Sequence, residues 1–112
     1  MIQARVWRAE NGRLITRFVV KGHAGSGVPG HDLVCAAVSA LTINFVNSVE
    51  AICGLTLEHR VKSGFFDLIV TEDPDVQLLA RSLEVGLLKL AEDHGQYIEV
   101  VLGSSDRHTI HK

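Results

Sequence analysis

From Leu33 to about Cys53 the chain carries apolar side chains on nearly every face of a helix: Leu33, Ala36, Ala37, Ala40, Leu41 and Phe45 on one side, Val38, Val46 and Val49 on others. A helix that is apolar all round must be buried on more than one side. The spacing therefore predicts a core helix packed on a sheet and also against a second subunit. Asn44 and Asn47 interrupt the pattern and mark a wet or subunit-contacting face. Gly54 is placed to end the helix as a left-handed cap.

The flanking segments supply that sheet. Ile2 to Arg8 alternates apolar and polar residues, as a strand does. Asn11-Gly12 is a hairpin signal, since both residues accept positive φ, and Leu14 to Val20 returns as a second, more apolar strand. Leu55 to Lys62 alternates with Leu55, Leu57, His59 and Val61 on one side, Ser63-Gly64 turns the chain, and Phe65 to Val70 comes back. Asp73-Pro74 opens a second helix with a cap residue and a proline at the first helical position. Val76, Leu79, Ala80, Leu83, Leu87, Leu90 and Ala91 form its buried stripe, with Gln77, Arg81, Glu84, Lys89 and Glu92 toward water and His94-Gly95 closing it. Gln96 to Leu102 is the fifth strand. The order β-β-α-β-β-α-β predicts an α/β protein of the α+β type, with two helices on one face of a mixed five-stranded sheet. The other face needs a polar finish or a cover, and a homodimer is one way to supply the cover.

With 112 residues, a single domain over residues 1–103 with a polar tail at 104–112 is expected. The formal net charge of −2 provides no polycationic surface, so direct nucleic-acid binding is not expected. Charged residues inside the opening M-I-Q-A-R-V-W-R argue against a signal peptide or membrane span there, which points to a cytoplasmic protein without a membrane partner. Cys35 and Cys53, read on one helix, lie roughly 27 Å apart at ~1.5 Å per residue, so both thiols should be free.

Chemistry concentrates between Lys21 and Leu41, K-G-H-A-G-S-G-V-P-G-H-D-L-V-C-A-A-V-S-A-L, read as strand end, glycine-rich loop and helix start. Asp32 suits the N-cap, which puts Cys35 at the third helical position, where the helix dipole favours thiolate. His23, delivered by the second strand, would stabilise that thiolate and take its proton. The Asp32 carboxylate opposes it, so geometry decides the net shift. Gly22, Gly25, Gly27 and Gly30 allow a substrate backbone to approach and let the loop act as a lid or clamp; a plain flexible connector fits the same glycines. Ser39, one turn beyond Cys35, is read first as bonding the carbonyl of the preceding turn, with a bond to the thiolate or a substrate carbonyl as the alternative. Cys53 is read as structural, and His59 as a partly buried, hydrogen-bonded structural histidine. A metal site from His23, His31 and Cys35 matches no common zinc spacing, and neither metal nor cofactor is expected.

The G-H-A of Gly22 to Ala24, the loop glycines and D-L-V-C-A-A-V-S-A-L from Asp32 to Leu41 resemble the signature of the ribosomal-processing cysteine protease (Prp) family. Leu33 stands where the family more usually has isoleucine, and His31 adds a second imidazole near the site. The resemblance implies a thiol endopeptidase that removes the N-terminal extension of a bacterial large-subunit ribosomal protein, the twenty-seventh. It implies Cys35 as nucleophile and His23 as proton donor and base, with Asp32 and Ser39 in support. Asp32 cannot easily both cap the helix and orient His23, and the capping role is favoured. A noncatalytic module binding a peptide or anion is the competing reading.

Overall fold

In the computed structural model, residues 1–22 and 31–104 are described, apart from the side chains of His31 and Asp32. The elements follow the predicted order: β1 (Ile2–Arg8), β2 (Ile15–Lys21), α1 (His31–Ser48, continued by a π-helical turn Val49–Cys53), β3 (His59–Lys62), β4 (Phe65–Ile69), α2 (Pro74–Asp93) and β5 (Ile98–Ser104). The strands form one sheet in the order β3-β4-β2-β1-β5, parallel only between β1 and β5.

Strand alternation sends Ile2, Ala4, Val6, Phe18, Val20, Phe66, Leu68 and Ile98 to the helix-bearing face, where they are buried with Val34, Val38, Phe45 and Val49 of α1 and Val76, Ala80, Leu83 and Leu87 of α2. Phe18 and Phe45 meet edge to face at 5.9 Å between ring centroids. Asp73 caps α2 as expected: its side chain accepts from the amides of Asp75 and Val76. Gly54, at φ 69°, caps the π-helical turn.

The opposite face has a polar finish. Arg17 donates from Nε and Nη2 to the two carboxylate oxygens of Asp67 at 2.8 and 2.7 Å, with both residues buried. That hydrogen bond raises the Arg17 pKa above its ordinary value against the opposing effect of burial. The Arg5 guanidinium lies 5.3 Å from the Trp7 ring centroid, and Gln3 bonds Glu99. No second subunit is needed to cover this side.

Several expectations are corrected. The apolarity of α1 is not matched by all-round burial: Val34, Val38, Thr42, Phe45 and Val49 form one buried stripe, while Leu33 is 75% exposed and Ala36, Ala40 and Ile43 also face out. Leu33–Cys53 is long and apolar enough to cross a membrane by length and composition alone, yet its buried stripe is seated in the sheet core. At the first turn only Gly12 takes positive φ; Asn11 instead accepts the Arg13 amide through Oδ1, and the Ala9 amide reaches the Leu14 carbonyl, so the connection is longer than a two-residue hairpin. Regular strand covers only His59–Lys62 of the predicted Leu55–Lys62, because Leu57 turns into the core just before it. Gln77 and Glu84 are buried rather than solvated. Gln77 exchanges hydrogen bonds with the Ile15 backbone and donates to the Thr71 carbonyl, and Glu84 chelates the Arg8 guanidinium. Gly95 is not left-handed; α2 stops at His94, whose carbonyl accepts from Tyr97 and Ile98.

Candidate active site

The helix layer does not reach the β3 edge of the sheet. Val61 aligns with Phe66, Phe66 with Val20 and Val20 with Ala4, so Val61 and His59 belong to the helix-facing side of their strand. Both are nevertheless exposed, Val61 at 61%, because among the described residues no helix lies over them. The uncovered strip is one wall of a cleft of about 450 Å³. The opposite wall is α1, which presents Cys35, Val38, Ser39, Thr42, Val46 and Asn47. These recur at three- and four-residue intervals, one continuous helix face. From Cys35 to Asn47 the helix rises about 18 Å.

Cys35 is half-buried in this cleft with a free thiol. Because α1 begins at His31, Asp32 has a helical backbone and is the second residue of the helix, not its N-cap, and Cys35 is the fifth. A cap residue keeps non-helical dihedrals, and the apolar periodicity from Leu33 could not show that the helix starts two residues earlier. An acidic residue in the first turn still complements the positive helix end.

Ser39 lines the same cleft one turn on. The expected bond to the preceding turn is made instead by Thr42, whose hydroxyl donates to the carbonyls of Val38 and Ser39 at 3.0 and 3.1 Å. Among the described residues the Ser39 hydroxyl has no hydrogen-bond partner. Gly22 borders the cleft at φ 114°. A Cβ there would strike the Met1 carbonyl oxygen and lie 3.0 Å from Ile2 Cα, so both the dihedral and the space require glycine. His23, Gly25, Gly27 and Gly30 lie outside the described residues, as do the side chains of His31 and Asp32.

His59 departs from the sequence reading. It is an exposed residue of the cleft rim, not a partly buried one, although the expected hydrogen bond exists: Nδ1 lies 2.7 Å from the Leu57 carbonyl. A carbonyl only accepts, so Nδ1 is the donor, and Nε2 keeps its own bonding capacity. The signal was present in the alternation that put His59 on the apolar side; what sequence could not show is that the covering layer ends before it. Cys53 also has a free thiol but lies outside the cleft lining. Partial burial, then the charges of Asp73 and Asp75, push its pKa up. Among the described residues no three histidine, cysteine or acidic side chains converge as a metal site.

Residues 1–99 match the family model described as cysteine protease Prp. The ribosomal processing cysteine protease Prp of Bacillus subtilis (strain 168) is 32% identical over 108 residues, 89% of this chain and 96% of that one. The crystal structure of SMU.848 from Streptococcus mutans superposes with a TM-score of 0.84 at 31% identity, covering 94% of this chain and 99% of that one. The structure of the essential Prp from S. aureus in complex with a covalently linked product peptide gives 0.77 at 27% identity, covering 91% and 99%.

Proposed function

The chain belongs to the cysteine protease Prp family, and on that premise we propose that it removes the N-terminal extension of a bacterial large-subunit ribosomal protein, the twenty-seventh, by thiol acyl transfer at Cys35. The observation that carries this reading is the free Cys35 thiol at one end of a cleft whose length suits an extended peptide. At ~3.4 Å per residue, about five residues fit beside the 18 Å of α1.

In this mechanism Cys35 attacks the scissile carbonyl as thiolate, and His23 holds the proton and passes it to the leaving amine. Water then releases the acyl-enzyme. Backbone N–H groups at the start of α1 are suited to stabilise the oxyanion. Asp32 orients His23 or tunes the helix start. Ser39, with its hydroxyl uncommitted among the described residues, is available to bond the thiolate or a substrate carbonyl. A homodimer completes the proposal, supported by the outward apolar residues Leu33, Ala36 and Ala40 on α1. The same reading places the enzyme in the cytoplasm with its substrate.

The test is to incubate wild type, Cys35→Ala and His23→Ala with the source organism's own precursor and follow the mass of the product. Wild type should remove the extension and both variants should not. Binding of the precursor without cleavage by wild type would favour the noncatalytic module.

A further inference from the structure

The β3 edge of the cleft carries a row of backbone groups whose directions can be worked out from the ladder. The Ile69 amide donates to the Glu58 carbonyl at 2.9 Å, and β3 pairs antiparallel with His59 opposite Leu68 and Val61 opposite Phe66. Bonded and non-bonded pairs alternate in such a ladder, so Glu58, Arg60 and Lys62 turn their N–H and C=O groups toward β4. On the other side of β4, the Val70 amide donates to the Thr16 carbonyl at 2.9 Å, and the alternation gives Leu68 and Phe66 to β2. His59 and Val61 are therefore left pointing their amides and carbonyls out of the sheet. Among the described residues nothing bonds them.

Such a row is a template for another strand. Here it borders the cleft that holds Cys35, its two open residues are spaced i and i+2 as an added strand requires, and all four residues of β3 are exposed. We infer that the substrate docks as an added β-strand along β3, its backbone exchanging hydrogen bonds with His59 and Val61 while alternate side chains enter the apolar strip between Val61, Phe66 and Val46. The inference rests on the proteolytic reading for the identity of the peptide, and its chemistry is that of any extended segment with apolar residues at every second position. Selectivity then divides in two: main-chain bonds fix the register relative to Cys35, and the apolar strip reads alternate side chains.

The test uses a synthetic peptide spanning the proposed cleavage junction, and a set of analogues each N-methylated at one backbone amide. Strand docking predicts that methylation at alternate positions raises KM about tenfold while the intervening positions are tolerated, a loss of one or two hydrogen bonds each. Val61→Pro removes only an outward N–H, a substitution edge strands accept, and should raise KM to a similar degree with circular dichroism unchanged. For a measurement that does not depend on turnover or on the proline variant folding, amide exchange at His59 and Val61 in Cys35→Ala should slow on adding the peptide. An even response to methylation, or exchange at both amides unchanged at saturating peptide, overturns strand docking even if wild type cleaves normally. If wild type cleaves nothing, the proteolytic reading fails, and protection of the two amides alone decides whether β3 takes up a strand.

Discussion

The Gly22 amide donates to the Gly64 carbonyl at 3.0 Å, tying the end of β2 to the tip of the β3–β4 hairpin at the mouth of the cleft. The bond fixes where the chain leaves the sheet on its way to Cys35. Since a Cβ at Gly22 would collide with the Met1 carbonyl and the φ of 114° is unsuited to other residues, Gly22→Ala should cost roughly 2–4 kcal/mol, combining backbone strain and a forced shift of the first residues. Urea denaturation will measure the stability loss. A stability within about 0.5 kcal/mol of wild type, the range of an ordinary surface change, would show that the close approach is not maintained.

The Arg17–Asp67 pair is buried on the face away from the helices. Removing one partner strands the other, so Asp67→Ala should destabilise by about 3–5 kcal/mol. Exchanging both for apolar residues of similar volume, Arg17→Met with Asp67→Leu, should recover most of that loss. Recovery in the double variant, read from the same denaturation curves, separates an unpaired charge from lost packing. Exposed Arg60, 3.7 Å from Asp67, contributes little by comparison.

Gln77 acts as a bracket between α2 and the start of β2. Its Oε1 accepts from the Ile15 amide at 2.9 Å, and its Nε2 donates to the carbonyls of Ile15 and Thr71 at 2.7 and 2.8 Å. Gln77→Leu leaves these backbone groups without their partner, at about 1–3 kcal/mol for each one kept from water. A lowered melting temperature with cleavage by the remaining folded protein unchanged is expected, since Gln77 is not among the residues that line the cleft. A loss of kcat without a loss of stability would contradict this.

The Cys53 thiol has a raised pKa, first from partial burial and then from Asp73 and Asp75. The folded state therefore holds this proton more tightly than the unfolded chain. Its contribution to stability is fully present below the ordinary thiol value of 9.0 and is lost as pH climbs through the higher folded value. Alkylation of Cys53 by iodoacetamide, followed by peptide mass mapping from neutral to alkaline pH, should lag behind that of a free cysteine. Asp75→Asn should shift the onset to lower pH, and an unchanged onset would show that the aspartate charge does not reach the sulfur.

Much of the architecture was legible because each element announces itself locally. Alternation in Ile2 to Arg8, the Asp73-Pro74 start of α2 and the left-handed Gly54 all reappear in the structure. What failed were inferences about cover. Gln77 and Glu84 look solvated on a helical wheel, yet each meets a partner from β1 or β2 that local periodicity cannot reveal. His59 and Val61 look buried by alternation, but burial depends on how far the helix layer extends. The glycine-rich stretch, Cys35 and Ser39 were visible as a motif; the role of β3 as the facing wall was not, because it depends on a strand order, β3-β4-β2, that no single segment encodes.

Trp7, the chain's single tryptophan, lies against Gly103, where a Cβ would come within 2.8 Å of the ring, on the sheet face opposite the cleft. Its fluorescence will therefore report the parting of the first and last strands while staying blind to occupancy of the groove. One chain thus carries a built-in optical gauge of unfolding that a titration with peptide leaves undisturbed.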